Sequence, residues 1–317
     1  VPSPVDRLDD GEQQVSTLIV RPGGGLCNRM RALLSGVSYA EVTGRSLRYA
    51  WARGPQFEAS LDDLWVNDLR TVPGLAVSVL SRLVGGYTAP DDVRVGDRRR
   101  LIVVNSSDVI ARDEPGLVPW IDRLRQLPLH PDLRARVQTT MRSWPDDRPV
   151  VGIMIRSNLA HAQTVEASPV EWFLARMHEI RAVAPDVVFF LSADDPAVSA
   201  RVRDAFDDVT ELAGKSPYNS VGGVQDAACD LYLLASGNYL VGSHWSSFSD
   251  TAGALAVHGG YETSRLEPTS DLPTCLARPR VACLPGAPST QTPGQTPGST
   301  PDSLSDTPSA PGGKAPQ

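Results

Sequence analysis

A chain of 317 residues corresponds to about two domains of ordinary size. With 41% hydrophobic and 21% charged residues, the composition excludes wholesale disorder. The net charge of −7 and a pI near 5.3 exclude a broad nucleic-acid or anionic-membrane surface and leave room only for a local basic pocket. Of 30 basic residues only Lys215 and Lys314 are lysines. That bias is explained either by a high-GC genome or by a need for guanidinium groups that hold anions through two parallel hydrogen bonds.

Four cysteines (Cys27, Cys229, Cys275, Cys283) form no CxxC pair and no Cys/His ligand spacing, so neither a disulfide scaffold nor a zinc finger is expected. Cys275 and Cys283 are close enough in sequence to pair, but free thiols are the default in a reducing compartment. No apolar run reaches bilayer length, and Val1–Gln14 is polar. The chain opens on Val1 rather than Met, which leaves room for an upstream segment. A cytosolic protein without a membrane span is expected.

Taken in order, Ser16–Arg21 is a buried strand that stops at Pro22 and the run Gly23-Gly24-Gly25. Leu26–Thr43 is a helix with Met30, Leu33, Leu34, Val37 and Val42 on one stripe, closed by Gly44. Ser46–Trp51 is a second strand. A β-loop-α-β unit of this kind implies a parallel sheet. Residues 55–98 give only short mixed signals. Leu101–Val104 is a strand, and helical patterns cover Val118–Leu127 and Pro131–Trp144. The polar break Pro145-Asp146-Asp147-Arg148 marks a domain boundary.

A second α/β series follows. Pro149–Ile155 is a strand, and Ser168-Pro169-Val170-Glu171 has the form of a capping box for a helix reaching Val183. Asp186–Leu191 is a strand, and Asp195-Pro196 opens the next helix. Val209–Leu212 is a short strand, Val221–Ala235 a helix, Tyr239–Gly242 a strand and Ser246–Val257 a helix. From Pro285 onward eight prolines fall in 33 residues with almost no large apolar groups, so nothing offsets the entropy of ordering and a disordered tail is expected. The fold class is therefore α/β: two Rossmann-like domains facing across a cleft, residues 15–147 and 148–284, between a polar lead (1–14) and a tail (285–317).

Four places carry chemistry. Pro22-Gly-Gly-Gly-Leu-Cys-Asn28-Arg29 joins strand to helix, where bare backbone N–H groups and the helix dipole suit an anion or serve only as a tight turn. It is neither the dinucleotide fingerprint nor a P-loop. Arg156 emerges at the carboxyl end of an apolar strand, Gly152-Ile-Met-Ile-Arg156, where open α/β sheets bind ligands. Such a guanidinium grips a diphosphate or forms an edge salt bridge. Gly242-Ser-His-Trp-Ser246-Ser247-Phe248-Ser249 runs from strand to helix and offers either a phosphate seat or a simple N-cap at Ser246. It does not fit the G-x-S-x-G elbow of a serine hydrolase. In Phe190-Leu-Ser-Ala-Asp194-Asp195-Pro196, Asp195 reads as an N-cap and Asp194 as freer to meet a ligand. Asp226 and Asp230 share a helix face, solvated on the simplest reading, with Asp230 the better placed to face inward.

Together, Gly-Gly-Leu-Cys-Asn-Arg, Gly-Ile-Met-Ile-Arg, Leu-Ser-Ala-Asp-Asp-Pro and Asp-Leu-Tyr-Leu-Leu-Ala-Ser followed by Leu-Val-Gly-Ser-His-Trp-Ser-Ser-Phe resemble the fucosyltransferases of the protein O-, α-1,6- and nodulation-factor kinds. The resemblance covers roughly residues 16–257. It implies a GT-B-like fold, a GDP-fucose donor, a glycan or other hydroxyl acceptor, inversion at the sugar carbon, no cofactor and no metal. It places Arg156 on the β-phosphate, Ser246, Ser247 and Phe248 around the phosphate and nucleoside, and Asp194 and Asp230 near guanosine. Gly24, Gly25, Asn28 and Arg29 would form a phosphate or acceptor loop on the facing domain.

The chain departs from the family where His-x-Arg-Arg-x-Asp is usual: here Met154-Ile-Arg156-Ser157-Asn158-Leu159 lacks the histidine, the second arginine and the aspartate. In the α-1,6 branch an acidic base falls where Thr164 stands. His161 and Glu166 are the nearby base candidates, unless the donor bond breaks largely before attack and no base is needed. A catalytically inactive nucleotide- or glycan-binding relative is the alternative, and a dinucleotide oxidoreductase is disfavoured by the broken glycine fingerprint.

Overall fold

The computed structural model describes residues 16–158, 162–256 and 259–285. All belong to one compact unit carrying two sheets. The first sheet is built from β1 (Thr17–Pro22), β2 (Ser46–Tyr49), β3 (Arg70–Thr71) and β4 (Leu101–Ser106), in the order β3-β2-β1-β4 and parallel throughout. Alternation along β1 explains its two-sided cover. Leu18 and Val20 face helix α1 (Leu26–Thr43), while Ile19 joins Val77 of α2 (Gly74–Leu83) on the other side. Gly36 lets α1 lie close, since a Cβ there would sit 2.8 Å from a Val20 methyl.

Helices α3 (Trp120–Gln126) and α4 (Pro131–Arg142) lead to the second sheet. Its strands are β5 (Val150–Ile155), β6 (Val188–Ala193), β7 (Val209–Thr210), β8 (Tyr239–Gly242) and β9 (Gly260–Thr263), again all parallel, in the order β7-β6-β5-β8-β9. Helices α5 (Ala162–Ala167), α6 (Val170–Val183), α7 (Pro196–Ala205), α8 (Val221–Ala235), α9 (Ser247–Leu255) and α10 (Leu272–Leu276) complete it. Phe173, Met177 and Ile180 of α6 pack with Val151, Ile153 and Phe189 on one face, and α8 covers the other. The core beneath α8 runs on into α1, α3 and α4, so one apolar cluster unites both sheets, and the Trp65 indole N–H donates to the buried Tyr232 hydroxyl at 3.0 Å inside it.

Most expected elements stand within two residues of their bounds, with four corrections. Val42 is exposed rather than part of the α1 stripe. The capping box is not formed: Pro169 is the N-cap of α6, and the Ser168 hydroxyl instead binds the His244 N–H at 2.8 Å and the Ser264 hydroxyl at 2.8 Å. The unread stretch 55–98 contains β3 and α2, and β9 follows a segment left without an assignment. Asp195 does cap α7, accepting from the Ala197 N–H at 2.8 Å. The N-terminal lead and the Pro/Ser-rich tail from residue 286 onward lie outside the described residues. Cys27, Cys229 and Cys275 are buried free thiols.

Candidate functional site

Strand order along the second sheet sets out the site. At the carboxyl ends, the segment after β7 brings Lys215 and Tyr218, β6 brings Asp194, β5 brings Arg156, β8 brings Ser243–Ser246, and β9 brings Arg265. The chain reverses its direction of travel across the sheet between β5 and β8, the switch point at which open α/β sheets form their ligand crevice. Arg156 stands beside that point. Its backbone N–H donates to the Ser243 hydroxyl at 2.9 Å, and its guanidinium reaches the Asp194 carboxylate at 3.5 Å and the Tyr218 hydroxyl at 3.2 Å. Buried β5 fixes the Cα while the guanidinium keeps a path to solvent.

The acidic residues divide differently from expectation. Asp194 is not free: its Oδ1 accepts from the Ser157 N–H at 2.8 Å and the Ser157 hydroxyl at 2.9 Å, and Oδ2 faces Arg156. It orients the β5 exit. Asp226 is buried, not solvated, and joins the Arg136 guanidinium at 2.6 Å to the Ser216 N–H at 2.6 Å. Asp230 faces inward. Its Oδ2 accepts from the Ser192 hydroxyl at 2.7 Å and the Lys215 ammonium at 2.9 Å, while Oδ1 has no hydrogen-bond partner among the described residues. Burial raises its pKa, against the opposing pull of Lys215 and Ser192. The loop carrying Lys215 lies tightly on α8 because Gly222 and Gly223 have no Cβ: one at Gly223 would collide with the Pro217 carbonyl.

The turn from β8 to α9 is pinned at each residue. Ser243 is buried, and the His244 ring meets the Thr263 hydroxyl at 3.0 Å, its pKa lowered by burial and then by Arg265. Ser246 caps α9 through the Ser249 N–H, which is its simpler expected role. Between them Trp245 takes φ of +57°, a left-handed conformation unusual for a bulky side chain. Ser247 and Phe248 begin the helix with its N-terminus toward the crevice.

On the first sheet, Gly24 turns with φ of +74°, and Gly25 is the N-cap of α1. A Cβ at Gly24 would lie 3.0 Å from the Asn28 amide nitrogen, so the turn presents bare backbone. Arg29 is buried, with its guanidinium tied to neighbouring backbone and rings. Its Nε donates to the Gly24 carbonyl at 2.8 Å and its Nη1 to the Ala52 carbonyl at 2.6 Å. The guanidinium lies 4.1 Å from the Phe57 ring centre and 5.2 Å from that of Trp51. Burial lowers its pKa to about 10. It holds the turn to the 52–57 loop. Cys27 beside it is a core thiol, pushed up to about 12 by burial.

A cleft of about 1610 Å³ opens between the two sets of loops. Gly24, Gly25, Asn28 and Arg29 line it from the first sheet, and Arg156, Asp194, Asp230, Ser246, Ser247 and Phe248 from the second. Glu166 does not join them. It is exposed on α5 and absent from the lining, whereas Thr164 of the same helix is buried and faces the cleft. The two positions are two residues apart on the helix, so their side chains point to different surroundings. His161 lies outside the described residues. Sequence reading also passed over Lys215, Tyr218 and Trp245 as lining residues. Only Lys215 gave a signal, as the one lysine before the tail.

No family model matches the sequence, and no curated protein matches it. Solved structures do. NodZ α-1,6-fucosyltransferase co-crystallised with GDP aligns at a TM-score of 0.60 and 19% identity, covering 81% of this chain and 99% of that one. The chain has a fucosyltransferase-like fold. A mutant of Arabidopsis thaliana FUT1 in complex with GDP aligns at 0.56 and 14% identity, over 80% of this chain and 71% of its own. POFUT1 in complex with GDP-fucose aligns at 0.51 and 10% identity, over 80% and 99%. The fold is thus shared at sequence identities of 10% to 19%.

Proposed function

We propose that this chain is a glycosyltransferase that moves fucose from GDP-fucose to a hydroxyl acceptor, inverting the sugar carbon without a metal ion. The observation that carries the reading is Arg156: a guanidinium fixed at the switch point of the second sheet, in a cleft that both sheets line. Structures of the same fold crystallised with GDP or GDP-fucose support the choice of donor. On this reading residues 15–147 form the acceptor lobe and 148–284 the nucleotide lobe. The protein works in the cytosol, and no helix among the described residues is long and apolar enough to cross a membrane.

Arg156 donates two N–H bonds to the departing diphosphate, and the first N–H groups of α9 complete the cradle as negative charge grows on the leaving oxygen. The segment with Lys215 and Tyr218, backed by Asp230, encloses the nucleoside. Glu166 being outside the cleft, the acceptor proton passes to His161 or, if the donor bond breaks first, to water or the leaving phosphate. A thermal-shift panel of GDP, UDP, ADP and NAD tests the donor. GDP at about 100 times its Kd should stabilise the fold by about 2.7 kcal/mol, and the others should do little. Equal shifts with UDP or ADP sink the assignment. A second reading, a GDP-binding relative without turnover, is favoured by Ser157 and Leu159 standing in the sequence where the family carries a second arginine and an aspartate. A donor-hydrolysis assay separates the two.

A further inference from the structure

We infer that Trp245 is the platform on which a pyranose ring of the acceptor stacks. The inference rests on the donor reading above and deepens it. Trp245 is 49% exposed and is one of the residues lining the cleft. Its backbone is held in the left-handed region by neighbours that are each tied down: Ser243 to Arg156 and Met154, His244 to Ser168 and Thr263, and Ser246 to the first turn of α9. Strain of this kind in a bulky residue persists only where the surroundings over-determine it, and such residues gather at sites that handle ligands. The Arg265 guanidinium sits 5.3 Å from the indole centre and supports the ring.

Strand order decides which substrate meets this ring. Lys215, Tyr218 and Asp194 lie on the β6–β7 side of Arg156, and Trp245 and Arg265 on the β8–β9 side. Adjacent strands are about 4.8 Å apart, so the two groups flank the diphosphate seat rather than overlap. The Lys215 ammonium and the Tyr218 hydroxyl on the first side suit the nucleotide. On the second side stands an exposed aromatic ring, in a cleft lined also by Asn28, Thr164 and the Gly24–Gly25 turn, whose helix α1 packs on α9. An exposed aromatic ring in a cleft that also carries amide and hydroxyl groups matches a pyranose, which has a C–H face and a hydroxyl rim. An extended peptide would need a row of backbone partners.

The test uses the full chain labelled with ¹⁵N-tryptophan, whose six indole signals include one for Trp245, assigned by its loss in Trp245→Phe. With GDP saturating, cellotriose, chitotriose and a threonine-containing peptide are titrated in turn. A trisaccharide should move the Trp245 signal and bind Trp245→Ala roughly tenfold more weakly, with Trp245→Phe between the two. GDP affinity should stay within about twofold in both variants. The inference is overturned if no trisaccharide moves that signal, if the peptide alone does, if Trp245→Ala binds the sugar like wild type, or if it loses GDP roughly tenfold. Failure of the donor reading looks different: the wild-type chain then fails to bind GDP, whatever Trp245 does.

Discussion

Arg156→Ala separates catalysis from folding. The side chain makes one ion pair of 3.5 Å, and its loss leaves Asp194 with both hydrogen bonds from Ser157. A partly exposed pair of this kind contributes about 0–1 kcal/mol. In a chain of this size that moves Tm by no more than about 4 °C. Removal of the positive donors from a developing diphosphate costs about 3–4 kcal/mol in the transition state, or roughly 10²–10³ in kcat. Arg156→Lys should recover only part, because an ammonium keeps the charge but loses the planar fork. The assay is transfer or donor hydrolysis with GDP-fucose, beside a melting curve for each variant. Turnover within about threefold of wild type refutes the role. So does a collapse of Tm in step with activity, which would make Arg156 a strut.

The other arginine predicts the opposite pattern. Arg29→Ala leaves two carbonyls and two aromatic rings without their cation and should cost about 2–4 kcal/mol, a Tm loss on the order of 5–10 °C, and an unchanged Tm would contradict the inward reading. Glu166→Gln should leave turnover within about twofold of wild type, and a large loss would bring the carboxylate back into the chemistry. Asp230 has a raised pKa, so the folded state holds its proton where the unfolded chain has already released it. Stability therefore falls as pH rises upward from the ordinary carboxylate range through the folded value. Asp230→Asn should melt above wild type at pH 8, with the gap closing in acid; a lower Tm at pH 8 would show that the Lys215 pair outweighs burial. Gly223→Ala forces a Cβ against the Pro217 carbonyl and should cost about 2 kcal/mol or more, with weaker GDP binding as the 213–219 segment shifts.

Local rules settled a good deal of this protein before any contact was known. The apolar run of β1, the three glycines and the 3.6-residue stripe that follows determine a strand, a turn and a helix from short-range geometry alone, and Asp195-Pro196 determines a helix start in the same way. The placement of Arg156 also followed locally, because a buried strand that ends in a charge has only its carboxyl edge on which to present it. Tertiary structure decided what each polar group does there. Arg29, near the start of α1, is taken up by the carbonyls of Gly24 and Ala52, whereas Arg156, at the exit of β5, keeps its guanidinium on a path to solvent. Ser168 had the sequence of a cap but found a better partner in His244, and Lys215 reached Asp230 only because α8 and the segment after β7 fold back together. Hydrogen-bond partners of this kind are chosen among groups far apart in sequence and close in space, and periodicity and spacing carry no information about them.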